Sequence, residues 1–302
     1  MAAVHREFSA LSWALRSAGR AAPDLLDQAV VQARRAPLAY IKAGDRAAAA
    51  GQFERALAYF RHAAWMDKGN LDALKGEGLM LTALGRHGEA AEVYGQIVRA
   101  DLADRTARYN FALACSRCGQ LAQAQQAYVA LLEIDPDHVQ ARYNLAGLYQ
   151  LTGKLELSER QWREVVRRRP RSPSAQRSLG DVLMDQHRPA EAVEPYARAA
   201  DLSPQDPWVW LELAGACAEA GMAGRAAVAA DRAGRLAGHD APLHRRLGQV
   251  YLDVYRLSHD GRFVASAVGA WQRSLQIDPS QADLRRLVRT YEAMATTTPA
   301  SE

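Results

Sequence analysis

Residues 105–138 read RTARYNFALACSRCGQLAQAQQAYVALLEIDPDH, and residues 139–172 read VQARYNLAGLYQLTGKLELSERQWREVVRRRPRS. The word ARYN stands at 107–110 and returns at 141–144, a spacing of 34. Working outward from this pair, small residues keep the same phase at Ala56, Ala90, Ala124, Ser158, Ala192 and Ala226. A second series runs Gly51, Gly85, Gly119, Gly153, His187 and Gly221, and a third runs Gly44, Gly78, Ala112, Ala146, Gly180, Ala214 and Gly248. Aromatic residues follow the first series by four at Phe60, Tyr94, Tyr128, Trp162 and Tyr196, with Ala230 as the exception. A fixed period of this size marks a stack of identical supersecondary units, so the repeat decides the fold before any single element is considered.

Each unit reads as two helices. The third series lets two helices approach closely, the second supplies the tight turn between them, and the first series with its aromatic four later lies along one face of the second helix. In residues 105–138 this predicts helices over about Thr106–Cys118 and Ala122–Ile134, joined at Gly119 and closed by Asp135-Pro136. Pro170 and Pro204 close the next two units, whereas Lys68, Leu102 and Gly238 depart from that slot.

These segments resemble tetratricopeptide repeats. The matching residues are Tyr40, Ala43-Gly44, Ala47, Ala56 and Phe60 in one unit, and Trp210, Leu213-Ala214 and Ala226 in another. Arg108, Arg142 and Gln176 depart from the early aromatic slot, and Pro195 falls inside a second helix, where a kink is expected. The resemblance implies an all-α, right-handed superhelical solenoid of antiparallel helix pairs. The layout it suggests is a degenerate capping pair at 1–36, with helices at Glu7–Ala18 and Pro23–Arg35, then six repeats at 37–70, 71–104, 105–138, 139–172, 173–206 and 207–240. A seventh repeat at 241–281 carries a seven-residue insertion, read as two longer helices joined at His259-Asp260-Gly261, and a capping helix with a frayed tail fills 282–302. The first residues carry Arg and Ser with one acid, so an amphipathic docking helix and a cleaved presequence compete with the capping reading there.

Composition narrows the function. No apolar run reaches the roughly 18 to 20 residues that cross a bilayer, which argues against a transmembrane helix while leaving peripheral membrane contact open. Three cysteines point to a reducing, cytoplasmic setting, and the net charge of +4 is too small to suggest a nucleic-acid binder by itself. GxxxxGK[ST], HExxH and GxSxG are absent, as is a GxGxxG after a strand, so the expectation is no enzyme, no cofactor and no metal. Cys115 and Cys118 could be mistaken for a redox or metal motif, but their register places them as packed thiols.

Two surfaces remain as candidates. In tetratricopeptide arrays the first helices line the concave groove, which implies inward-facing positions for Lys42, Lys75, Asn110, Arg117, Asn144 and Arg177, with Tyr109 and Tyr143 beside the asparagines. An amide donates and accepts, so Asn110 and Asn144 can pair with the backbone of an extended peptide; alternatively they join neighbouring helices. The second surface is the cluster Arg160, Arg163, Arg167, Arg168, Arg169 and Arg171, in a repeat with eight basic residues against three acids. It reads either as an anionic docking patch or as a solvated helix end that complements the helix dipole. The leading functional expectation is a non-catalytic adaptor that holds a peptide segment or helix, acidic segments being favoured, as an assembly factor or subunit of a bacterial complex. A self-assembling scaffold and a regulatory subunit of an enzyme encoded elsewhere stay open, and nucleic acid ranks last because the groove slots do not repeat.

Overall fold

The computed structural model describes the backbone over residues 23–297 and side chains over 36–292. Among these residues there are fifteen helices and no strand, so the all-α expectation is met. The helices form two compact units that divide between His138 and Val139, at a boundary between two of the repeats. The first unit holds α1 (Pro23–Ala49), α2 (Phe53–Met66), α3 (Leu71–Ala83), α4 (His87–Ala100), α5 (Arg105–Arg117) and α6 (Leu121–Ile134). The second holds α7 (Val139–Leu151), α8 (Leu155–Arg168), α9 (Pro173–Asp185), α10 (Pro189–Leu202), α11 (Pro207–Glu219), α12 (Ala223–Leu236), α13 (Ala241–Ser258), α14 (Arg262–Ile277) and α15 (Ala282–Thr297).

The turn inside each pair follows from backbone chirality. Gly51, Gly85, Gly119, Gly153 and Gly221 take φ between 71° and 84°, a left-handed conformation that glycine adopts without a side-chain clash. The next N–H then reaches back to close the helix, as in Arg86 N to Leu81 O at 2.8 Å and Gln120 N to Cys115 O at 2.8 Å. His187 makes the same turn at φ 57° despite its Cβ.

Where the first helix has glycine in its small slot, the aromatic of the second helix enters it. A Cβ on Gly78 would lie 2.7 Å from Tyr94, on Gly180 2.7 Å from Tyr196, and on Gly248 2.2 Å from Trp271. Where the slot is Ala112 or Ala146, the partner ring instead also meets a tyrosine three residues upstream: Tyr109 packs edge-on to Tyr128 and Tyr143 to Trp162. Ser158 occupies its small slot without a stranded hydroxyl, because its Oγ donates to Ala146 O at 2.8 Å.

Five residues at the early aromatic slot and its later copies share one bond. Arg108 Nη2 donates to Leu102 O at 2.7 Å, Gln176 Nε2 to Pro170 O at 3.3 Å and Trp210 Nε1 to Pro204 O at 3.1 Å. His244 Nε2 meets Gly238 O at 3.1 Å, and Arg285 donates to Pro279 O. Each reaches the carbonyl six residues earlier, in the turn that closes the previous repeat. At these positions a side-chain N–H satisfies a carbonyl at that turn, whereas Leu74 fills the same slot with an apolar side chain. Arg285 extends the series into α15, which thus stands where the first helix of another repeat would stand.

One sequence expectation changes. Helix α1 runs unbroken through buried Pro37, so the break expected between 36 and 37 is not a helix end; a proline removes only one donor from a 27-residue helix. Helix α10 contains Pro195, as the sequence reading placed it. In the insertion, α13 has 18 residues against 13 in α11, and α14 has 16 against 14 in α12, with His259 at φ 57° ending α13. The helix expected at Glu7–Ala18 lies outside the described residues. Ala124 is fully buried, in the phase that the repeat assigns to the helix contact. Ala124→Leu should overpack it and destabilise the protein by about 1 to 3 kcal/mol, read as a lower midpoint in thermal or urea denaturation.

Candidate functional site

The side chains expected in a groove divide by what already holds them. In the first unit, Lys75 Nζ pairs with Asp104 Oδ2 at 2.8 Å, and this carboxylate holds the ammonium above its ordinary range. Asp104 also caps α5 by accepting from Ala107 N, so Lys75 ties α3 to the start of the next repeat. In the second unit, Arg177 on α9 pairs with Glu212 on α11. Burial works against its charge, yet Glu212 keeps the guanidinium raised. Arg245, at the equivalent position on α13, pairs with Asp283 on α15. These cations clamp one repeat to the next.

Tyr109 and Tyr143 are likewise engaged in packing. Tyr109 stacks on His138 with centroids 5.1 Å apart and meets Tyr128 edge-on at 6.0 Å, and Tyr143 meets Trp162 at 4.6 Å and 87°. Asn110 belongs to the first unit and Asn144 to the second, and both are half-buried. Asn110 and Thr82 are the polar neighbours of the buried Tyr94 hydroxyl, which makes no hydrogen bond of ordinary geometry and whose pKa burial raises. Lys42 and Arg117 are exposed.

A feature missed in the sequence lies beside Arg177. Asp181, one turn further along α9, accepts from the Tyr196 hydroxyl at 2.7 Å, and Glu212 keeps one carboxylate oxygen buried without a hydrogen-bond partner. Burial raises the pKa of both carboxyls. No sequence signal marks them, because their slots hold Leu113, Gly147, Asn144 and Ser178 in neighbouring repeats.

The arginine cluster lies on and just beyond α8. Arg163 pairs with Glu159 at 2.8 Å and Arg167 with Glu164 at 2.9 Å, while Arg168 also binds Glu164 and is largely covered. Arg160, Arg169 and Arg171 are exposed. The thiols part company: Cys115 is fully buried, but Cys118 is half-exposed at the end of α5, with its Sγ 3.4 Å from Cys115 O. Cys118 is therefore not the core residue its register suggested, because the helix ends there and turns outward. Among the described residues, no three His, Cys, Asp or Glu are grouped to hold a metal, and no helix is long and apolar enough to cross a membrane.

Models of the tetratricopeptide repeat match residues 35–104 and 152–207, and a second such model matches 106–138. Together they span more than half of the chain, and the chain belongs to the tetratricopeptide repeat family, whose repeats build protein–protein interaction scaffolds. No curated protein sequence matches it. Similar solved structures include YrrB, a tetratricopeptide repeat protein with an unusual peptide-binding site, at 20% identity and TM-score 0.54 over 66% of this chain and 99% of that one. A tetratricopeptide repeat protein from Parabacteroides merdae has 16% identity and TM-score 0.58 over 85% and 99%. The C-terminal part of another, from Cytophaga hutchinsonii, has 15% and 0.65 over 82% and 98%. At these identities the likeness concerns the fold.

Two measurements follow from the site. Burial pushes the Cys115 thiol up to about 11, with Cys118 beside it adding to the shift, so native protein should react with a thiol reagent first at Cys118 and slowly at Cys115. Mass spectrometry of the modified peptides reads this order. For Asp181 the folded state binds its proton more tightly than the unfolded chain does. Its contribution to stability is thus greatest below the unfolded carboxyl pKa, about 3.9, and falls as pH rises through the higher folded value. Asp181→Asn keeps an acceptor for Tyr196, so it should leave the melting temperature at neutral pH equal or higher and flatten the fall of stability with rising pH.

Proposed function

We propose that this protein is a non-catalytic adaptor that holds a peptide segment or a partner helix against its first-helix faces, as an assembly factor or subunit of a bacterial complex. The observation that carries this reading is the position of Asn110 and its counterpart Asn144. Each is half-buried on a first helix, in a slot that the core aromatics do not fill. Asn110 lies beside the Tyr94 hydroxyl, and an amide has a carbonyl with two lone pairs and two N–H donors, so one partner leaves capacity for a peptide N–H or C=O. The peptide-binding site of YrrB, on a similar fold, lends support. The bacterial assignment rests on the Ala- and Arg-rich composition.

A preference for acidic segments would fall chiefly to Lys42 and Arg117, since Lys75 and Arg177 already face carboxylates. Such exposed charges act mainly on the association rate. A pull-down from native cells with wild-type protein and with Asn110→Ala/Asn144→Ala, compared by quantitative mass spectrometry, tests the proposal. The double variant should lose affinity for its main partner by roughly tenfold or more, which corresponds to about 1.4 kcal/mol. Its melting temperature should change less than its binding. A large fall in melting temperature with the partner still retained would instead assign the asparagines to helix packing.

A further inference from the structure

The second-helix side of the unit 139–302 carries a cleft that the first-helix reading leaves unused. Helices α8 and α10 form its walls and α9 lies beneath, enclosing about 470 Å³. Val166, Leu179, Leu183 and Pro195 give it an apolar bottom, and Ala190 stands exposed at its edge. Arg163 and Arg167, four residues apart and so on one face of α8, stand on one wall, and Arg198 stands on the other with Glu191 and Glu194.

The carboxylates that the two α8 arginines bind have other arginines beside them. Glu159, a partner of Arg163, also receives Arg188 at 2.7 Å; Glu191, 3.7 Å from Arg163, receives Arg188 at 2.6 Å; and Glu164, the partner of Arg167, also receives Arg168. Removing Arg163 and Arg167 strands none of the three carboxylates. Both side chains remain largely in water, at 53% and 67% exposure, where ion pairs contribute little and exchange partners readily. Arg160, Arg169 and Arg171 add exposed positive charge on and just past the same helix.

We propose that this cleft docks an acidic peptide segment of a partner protein, one large apolar side chain entering the bottom and neighbouring carboxylates moving onto Arg163 and Arg167. The lining favours a peptide over nucleic acid, because it holds no aromatic ring for base stacking. It favours a peptide over a lipid surface, because the apolar atoms lie at the bottom of a cleft and Glu191 and Glu194 share its rim. Redundant cations beside a recessed apolar floor match a segment in which acidic and apolar residues alternate.

The test uses the full chain and the fluorescein-labelled peptide EELFEELL, followed by anisotropy, with EESQEESS as the equally charged control. The first peptide should bind and the control should not. Arg163→Ala/Arg167→Ala should weaken binding by about tenfold and flatten its salt dependence. Ala190→Trp, at an exposed position, should block the cleft to a similar extent, and both variants should keep the wild-type helical circular dichroism. Should Ala190→Trp lower that signal, Ala190→Arg takes its place. Equal binding of the control peptide, unchanged affinity with the cleft blocked, or stronger competition by phosphatidylglycerol vesicles or duplex DNA than by unlabelled peptide would each overturn the proposal.

Discussion

The contact on which this structure depends is a ring seated where a side chain is missing. Tyr94, Tyr196 and Trp271 lie so close to Gly78, Gly180 and Gly248 that even a methyl group would collide with them. Dense packing at that point draws the two helices of a pair together, and the positive-φ turn that follows, at Gly85, His187 or His259, makes the close antiparallel return feasible. Because each helix pair cannot bury its apolar face alone, the same contact forces stacking against the next pair. The small series, the aromatic series and the turn glycines are therefore consequences of one packing requirement.

Polar groups serve the stacking in a second way. The N–H that reaches back six residues from Arg108, Gln176 or Trp210 satisfies a carbonyl at the junction between repeats, where the helix ladder has no donor to offer. A carbonyl at this place accepts a guanidinium, an amide or an indole, so the residue type varies among these three positions while the bond is kept. Lys75, Arg177 and Arg245 bind the following repeat by charge. On α8, by contrast, Arg163 and Arg167 share their carboxylates with Arg188 and Arg168.

A scaffold of this family needs surface more than reactivity, and the charged groups here fit that need. The raised pKa of Asp181 and Glu212 arises from burial beside Tyr196 and Arg177, a structural arrangement within the repeat stack.

The period, the helix pairs, the turns and the all-α class could be read from residues 105–172 and their copies, because close packing admits only small residues at set intervals and a positive φ favours glycine. The groove could be read only as a set of positions. Nothing in the spelling of Lys75 or Arg177 shows that a carboxylate 29 or 35 residues away lies within reach, and Cys118 looks like Cys115 until the helix end exposes it. The cleft beside Pro195 was equally hidden, since it requires α8, α9 and α10 together. By itself the sequence determined the repeat, through local sterics that recur every 34 residues. Tertiary structure alone decided which charges are neutralised and which remain available, because pairing depends on distances between helices that periodicity does not encode.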